Sequence, residues 1–320
     1  IDALGAMAQG LFCSLLIGTI VKTLGQQLSL PFLVTVGGYA SAMSGPAMAI
    51  AIGYALQAPP LVLFSLAAVG QAANTMGGSG GPLAVFFIAI IAAEIGKAIS
   101  KETKIDILVT PGVTIFVGVA LAKLIAPPIG TAASAFGLMI DQATKLQPFL
   151  MGIAVSVLVG IALTLPISSA AICAAFGLTG LAGGAAVAGC CAQMVGFAVI
   201  SFRENRWGGI VAQGLGTSML QMGNIVKKPI IWVAPTLAAA ITGPISTMLF
   251  KLKCMGVSAG MGTCGLVGPL GVIDSTDMGA FEWIGLVLIC IVLPAIFSVV
   301  FNEIFRKLGW IKTGDMALDN

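Results

Sequence analysis

The chain contains no histidine. That removes the commonest proton shuttle and the commonest metal ligand, so histidine-based catalysis and most zinc chemistry are excluded. Charge is scarce too. Only 8% of the 320 residues are Asp, Glu, Lys or Arg, against about a quarter in a soluble domain. So few charges cannot cover an aqueous surface. Hydrophobic residues make up 58% and mean hydropathy is +1.08, the composition of an integral membrane protein set in a lipid bilayer. A net charge of +3 gives no electrostatic footprint for nucleic acid. No basic stretch precedes the first apolar run, from Ala6, so no cleavable signal peptide is expected. Seven cysteines are present. With no histidine to complete a ligand set, they read as small buried hydrophobes with reduced thiols. Neither a metal nor a cofactor site is expected.

What is abundant is apolar sequence in runs of crossing length, about 20 residues. The first half holds Ala6 to Leu24, Pro31 to Leu56, Leu61 to Asn74, Pro82 to Ile99 and Leu108 to Ile125. Residues 126–147 are more polar and read as a connector with an interfacial helix. The pattern then restarts with Pro148 to Leu165, Ser169 to Gly184, Ala185 to Phe202, Ile210 to Ile225 and Ile230 to Phe250. Trp283 to Phe301 is a last span, followed by a polar, soluble tail.

Between Met255 and Ile273 lie six glycines in nineteen residues, with no charge. Each interior glycine costs a helix roughly 1 kcal/mol relative to alanine. Irregular backbone at membrane depth is tolerated only where protein buries it or it lines a wet cavity. Residues 255–273 therefore read as re-entrant rather than as one continuous helix. The restart also suggests duplication. Glu94-Ile95-Gly96-Lys97 and Gln221-Met222-Gly223-Asn224 stand at the same offset as Gly81 and Gly208, and as Lys101 and Lys228. Five spans per copy is odd, so the copies would face opposite ways, as in many secondary transporters. The expected fold is an all-α polytopic membrane protein with about ten transmembrane helices in two inverted five-helix repeats. The repeats are 1–125 and 148–254, and the final span with its tail is 274–320.

Glu94 and Lys97 share a helix face, so Glu94 is either a ligand-binding or proton-coupling carboxylate, or half of a helix-end pair with a snorkelling lysine. Amides in or beside spans, Gln71, Asn74, Gln193, Gln213, Gln221 and Asn224, both donate and accept, and suit a small polar solute. Helix–helix bonding is their other role. The loop Gly78-Ser79-Gly80, ahead of Pro82, is either a linker or a place where backbone N–H groups meet a ligand. Asp277 suits the N-cap of the last span. Beside an unwound segment, Asp274 and Asp277 could also hold a cation or sugar hydroxyls, and the role of Asp274 is open.

Three of these stretches carry a resemblance. NTMGGSGGPLAVF from Asn74, EIGK at Glu94 and GPLGVIDSTD from Gly268 resemble the EIIC-type membrane proteins of the bacterial phosphotransferase system. Within that group the chain resembles the small EIIC-like branch that includes perfringolysin O regulator-like proteins. The resemblance implies a ten-span homodimer in the bacterial cell membrane that binds a sugar-like solute. The membrane-domain histidine common in sugar permeases is missing here, and no phosphoryl-carrier domain is attached. Any phosphoryl coupling therefore requires a separate carrier protein, and the chain shows no catalytic residues of its own. The leading expectation is a transporter working by alternating access. A membrane sensor acting through a partner, and an ion channel, are the alternatives.

Overall fold

Glycine and proline decide both where the helices stop and how closely they approach. The computed structural model describes residues 2–318, and every regular element among them is helical. The chain divides into two compact units, residues 1–134 and 135–320.

In the first unit, α1 (Ala3–Gln27) turns back into α2 (Pro31–Ala42) and α3 (Ser44–Ala55). The rods run antiparallel and touch at Gly25–Val34, Gly18–Gly37 and Gly10–Ala47, where glycine leaves no side chain between the backbones. Next come α4 (Pro60–Gly77) and α5 (Gly81–Ile99). This apolar stretch of 40 residues would be about 60 Å long if straight. Gly78, at φ +52°, folds it into a hairpin instead and sets Val62 against Gly96. A left-handed φ of this kind suits glycine, which has no Cβ to clash. Then α6 (Asp106–Thr144) runs for 39 residues despite Pro111, Pro127 and Pro128. The stretch 126–147, read from the sequence as a connector, is helical to Thr144 and continuous with the span before it.

The second unit is built around α9. Its helices are α7 (Pro148–Thr164), α8 (Ser169–Ala175), α9 (Gly180–Ile200), α10 (Phe202–Val211), α11 (Met222–Lys227), α12 (Pro229–Leu249), α13 (Gly256–Ala259), α14 (Val267–Ser275) and α15 (Ala280–Lys307). Nearly all of α9 is buried. Small residues let its neighbours close in: Gly189 meets the Ser156 carbonyl of α7, and Gly196 meets Ser298 of α15. Val155, Val159, Val187, Cys190 and Ile289 fill the core between them.

The second half departs from the sequence reading at four places. Residues 169–202 suggest two crossings, but α8 has seven residues and only α9 is long enough to span. Gly177 and Gly180, at φ +59° and +64°, make the turn between them, and hydropathy has no minimum there to announce it. Residues 210–225 suggest another span. Instead α10 gives way to a wide turn, extended backbone at Thr217, a tight turn and the short α11. The last helix is capped by Gly279, whose N–H donates to Glu282 Oε2 at 3.0 Å, so Asp277 is not the N-cap. Finally, the stretch beyond Asn302 is not a free polar tail. The helix continues to Lys307, and Ile311 and Met316 beyond it are buried.

Among the described residues, six helical stretches are long and apolar enough to cross a membrane: α1, the folded α4–α5 stretch, α6, α9, α12 and α15. Large apolar side chains stay exposed along them, among them Leu108, Phe116 and Leu124 on α6 and Ile284, Val287 and Ile291 on α15. Lipid is the solvent that tolerates such a surface.

Candidate functional site

Three broken segments of the second unit close on one another beside α9. Pro166 ends α7, and Leu165 before it is extended at ψ +154°, as the residue ahead of a proline prefers. Residues 212–221 form the second break. The third is the glycine-rich stretch, where Gly256, Gly262, Gly265 and Leu266 have φ of +57°, +54°, +52° and +60° and no continuous helix forms. Broken backbone in an apolar setting must find partners for its N–H and C=O groups. Here the breaks supply them. Cys254 N–H donates to the Gly180 carbonyl at 3.2 Å and Gly256 N–H to that of Leu178 at 2.8 Å. The Ser169 hydroxyl donates to the Gly260 carbonyl at 2.7 Å, and the Thr263 hydroxyl to that of Gly214.

A polar seam follows residues 212–221. On one side, Gln193 of α9 is wholly buried, and both its amide oxygen and its amide nitrogen have partners. Its Oε1 accepts from Trp232 Nε1 at 3.1 Å and from the Thr164 hydroxyl at 3.4 Å, and its Nε2 donates to Thr236 at 3.1 Å. Thr164 continues to Ser218 at 2.8 Å. On the other side, Gln221 Nε2 donates to Gln213 Oε1 at 3.0 Å, and Gln213 Nε2 donates to Ser201 at 2.9 Å. Asn224 Nδ2 donates to Gln221 Oε1 at 2.9 Å. The remaining partners come from the segment after α15. Gln221 and Asn205 both donate to the Met316 carbonyl, at 3.0 and 2.8 Å, and Asn224 donates to that of Ala317 at 2.8 Å.

Asp315 fastens this segment by accepting from the Lys228 ammonium and the Lys312 N–H. Burial pushes its pKa up, but those two hydrogen bonds and both ammonium charges outweigh burial and hold it below the ordinary 3.8. A lowered folded pKa adds stability that is complete above the unfolded value and lost as pH falls through the folded one. Glu204 and Arg306 lie nearby as an ion pair. Protection of the Lys312 amide in hydrogen exchange should therefore be constant between pH 5 and pH 8. It should fall only below about pH 4.

The other residues singled out in the sequence lie apart from the seam. Asn74 donates to Ser44 at 3.3 Å beside Gly81, inside the α4–α5 hairpin turn. Gln71, one turn earlier, and Gly78 are exposed, Ser79 is half-buried, and Gly80 packs on the Ile129 carbonyl. Glu94 is 53% exposed and pairs with Lys97 at 2.9 Å, while the Lys97 ammonium also donates to the Leu56 carbonyl at 3.0 Å. Asp274 is exposed on α14. Thr164, Ser218, Thr236, Trp232, Thr263 and Asn205 join the network without having been singled out. The available signal was hydroxyl and amide side chains flanking the Gly and Pro breaks. Among the described residues no group of acidic or cysteine side chains could hold a metal ion. A separate concavity of about 470 Å³ is lined by Asp141, Thr144, Phe176 and Thr179 among others.

Broken helices beside polar groups within an apolar bundle are a common feature of solute-transporting membrane domains. The family model for the phosphotransferase system EIIC component matches residues 1–318. The chain belongs to the EIIC family. No curated protein matches it. EIIC proteins are multi-pass membrane transporters of the phosphotransferase type, which serve sugar uptake together with phosphoryl-carrier proteins. In this EIIC chain the polar seam lies wholly within the second unit.

Proposed function

We propose that the seam along residues 212–221 binds a small, neutral, polyhydroxylated solute, and that the protein moves this solute by alternating access. The observation that carries the reading is that the break at residues 212–221 brings the buried amides of Gln213 and Gln221 together and meets, through Ser218 and Thr164, the buried amide of Gln193, each amide able to give and take a hydrogen bond. In this conformation the amides are satisfied by one another, by neighbouring hydroxyl and indole groups and by the Met316 and Ala317 carbonyls. Solute hydroxyls would replace those partners one for one. The reading further includes inverted repeats, a re-entrant 255–273 segment, a homodimer and separate phosphoryl carriers. Its supports are the repeated motifs and membership of the family.

Thermal unfolding of the detergent-purified protein with a panel of sugars and polyols tests the site. A solute at a hundred times its Kd should raise stability by about 2.7 kcal/mol. Gln221→Leu should abolish that shift, because leucine removes both the donor and the acceptor at the centre of the seam. A shift of the same size in that variant would move the site elsewhere, Asn74, Gln71 and the Gly78–Gly80 turn being the next place to look.

Glu94 serves this reading as half of a helix-end pair. An exposed pair of this kind contributes less than about 1 kcal/mol. Glu94→Gln should therefore leave stability within that margin and keep the pH profile of uptake in proteoliposomes. A flattened profile would restore Glu94 as the coupling carboxylate.

A further inference from the structure

The amides of the seam hold the backbone of residues 316–318 much as they would hold a ligand. Asn205 reads that backbone from both sides: its Nδ2 donates to the Met316 carbonyl and its Oδ1 accepts from Leu318 N–H, each at 2.8 Å. Gln221 and Asn224 take the Met316 and Ala317 carbonyls. A peptide carbonyl and a sugar hydroxyl are equivalent acceptors for an amide N–H. Two apolar anchors seat the segment, Ile311 and Met316, which are 2% and 0% exposed against Phe197, Ile200, Ile225 and Ile231.

The segment also reaches a buried ion pair. Gly314 N–H donates to Glu204 Oε1, so the segment lies over the Glu204–Arg306 pair, whose side chains are 3% and 9% exposed. There Glu204 Oε2, Arg306 Nε and Asn302 Oδ1 are buried without a partner. Buried polar atoms left unpaired raise the free energy of the state that buries them. The segment is thus held by two apolar anchors and by amides that could equally serve a solute, and it touches the ion pair through the Gly314 N–H.

We propose that residues 311–318 are a releasable strap that competes with solute for the amides of Gln221, Asn224 and Asn205. This rests on the solute reading of the seam and adds its regulation. Solute binds after the strap leaves, and its apparent affinity falls by the fraction of molecules in which the strap is closed.

The test uses the full chain in detergent and has two independent arms. The first needs no solute. The Gly314 and Leu318 amides should exchange hydrogen at least a hundredfold faster than those in the middle of α9, through local opening. Exchange at the α9 rate would mean that the segment leaves only on global unfolding, and would overturn the strap. The second arm compares the native chain with Ile311→Ala/Met316→Ala, which weakens the anchors and keeps every amide. D-glucose, D-mannitol, D-ribitol and sucrose serve as probes. At least one should bind tenfold or more tightly to the variant, with Gly314 and Leu318 losing protection as it binds to the native chain. Equal affinity in the two forms would overturn the competition while leaving the solute site standing. Binding to neither form would overturn the solute reading, and competition with it. The first arm then still decides whether the strap releases.

Discussion

Alanine at Gly184 or Gly189 should cost at least about 3 kcal/mol, at or beyond the upper end of ordinary overpacking. A Cβ at Gly184 would fall 1.9 Å from the Leu252 carbonyl oxygen, and one at Gly189 would fall 1.8 Å from that of Ser156. These contacts are with backbone, which cannot swing aside as a side chain can. The Leu252 carbonyl also belongs to the stretch whose next residues pair with the break at 178–180. Pushing it away from α9 strains two broken segments together. The control is the same substitution at Gly38 or Gly112, where an added methyl meets nothing within 4 Å. Both are interior helical positions. There alanine should stabilise by up to about 1 kcal/mol, because it loses less backbone entropy than glycine. Thermal unfolding of the four variants separates the two effects by sign. A destabilisation at Gly184 no larger than at Gly38 would mean that α9 has room to shift and that the packing is looser than the contacts indicate.

Particular residues explain how much of this was legible in the sequence. Gly and Pro punctuation marked the hairpin turn at Gly78–Gly81, the stop at Pro166 and the interrupted stretch after Met255. At each of these, backbone chemistry leaves a local trace. Residues 169–202 were misdivided because they are apolar throughout. The turn at Gly177–Gly180 is a matter of left-handed φ, to which hydropathy is blind. Residues 210–225 were misread for a different reason. Gln213 and Gln221 are eight apart, a spacing at which a straight helix gives little contact. Only a broken backbone brings them to 3.0 Å. The types of residue in the seam were thus legible, in Gln193, Gln221 and Asn224, but their partners were not. Trp232 and Thr236 reach Gln193 across tens of residues of chain. The stretch after Asn302 looked soluble because six of its eighteen residues are charged. Two well-placed anchors, Ile311 and Met316, were enough to bury it.

Arg306→Met should destabilise the fold by about 3–5 kcal/mol, and adding Glu204→Met should recover most of that loss. The single variant leaves the Glu204 carboxylate buried, with Gly314 N–H as its remaining contact. Removing one member of a buried pair costs this much because the other charge stays desolvated. The double variant removes both charges, and with them the unpaired Glu204 Oε2 and Arg306 Nε. The native pair thus starts from a poorly compensated position, the circumstance in which apolar replacement is neutral or stabilising. Met suits the site because a flexible thioether fills irregular space. One consequence separates this pair from an ordinary surface bridge. Without Glu204, Gly314 N–H loses its acceptor, so the double variant should regain thermal stability yet exchange the Gly314 amide faster than the native chain. Recovery of both would mean that the carboxylate does not hold residues 311–318 in place. Recovery of neither would mean that the pair contributes net stability and that its unpaired atoms are better solvated than their burial implies.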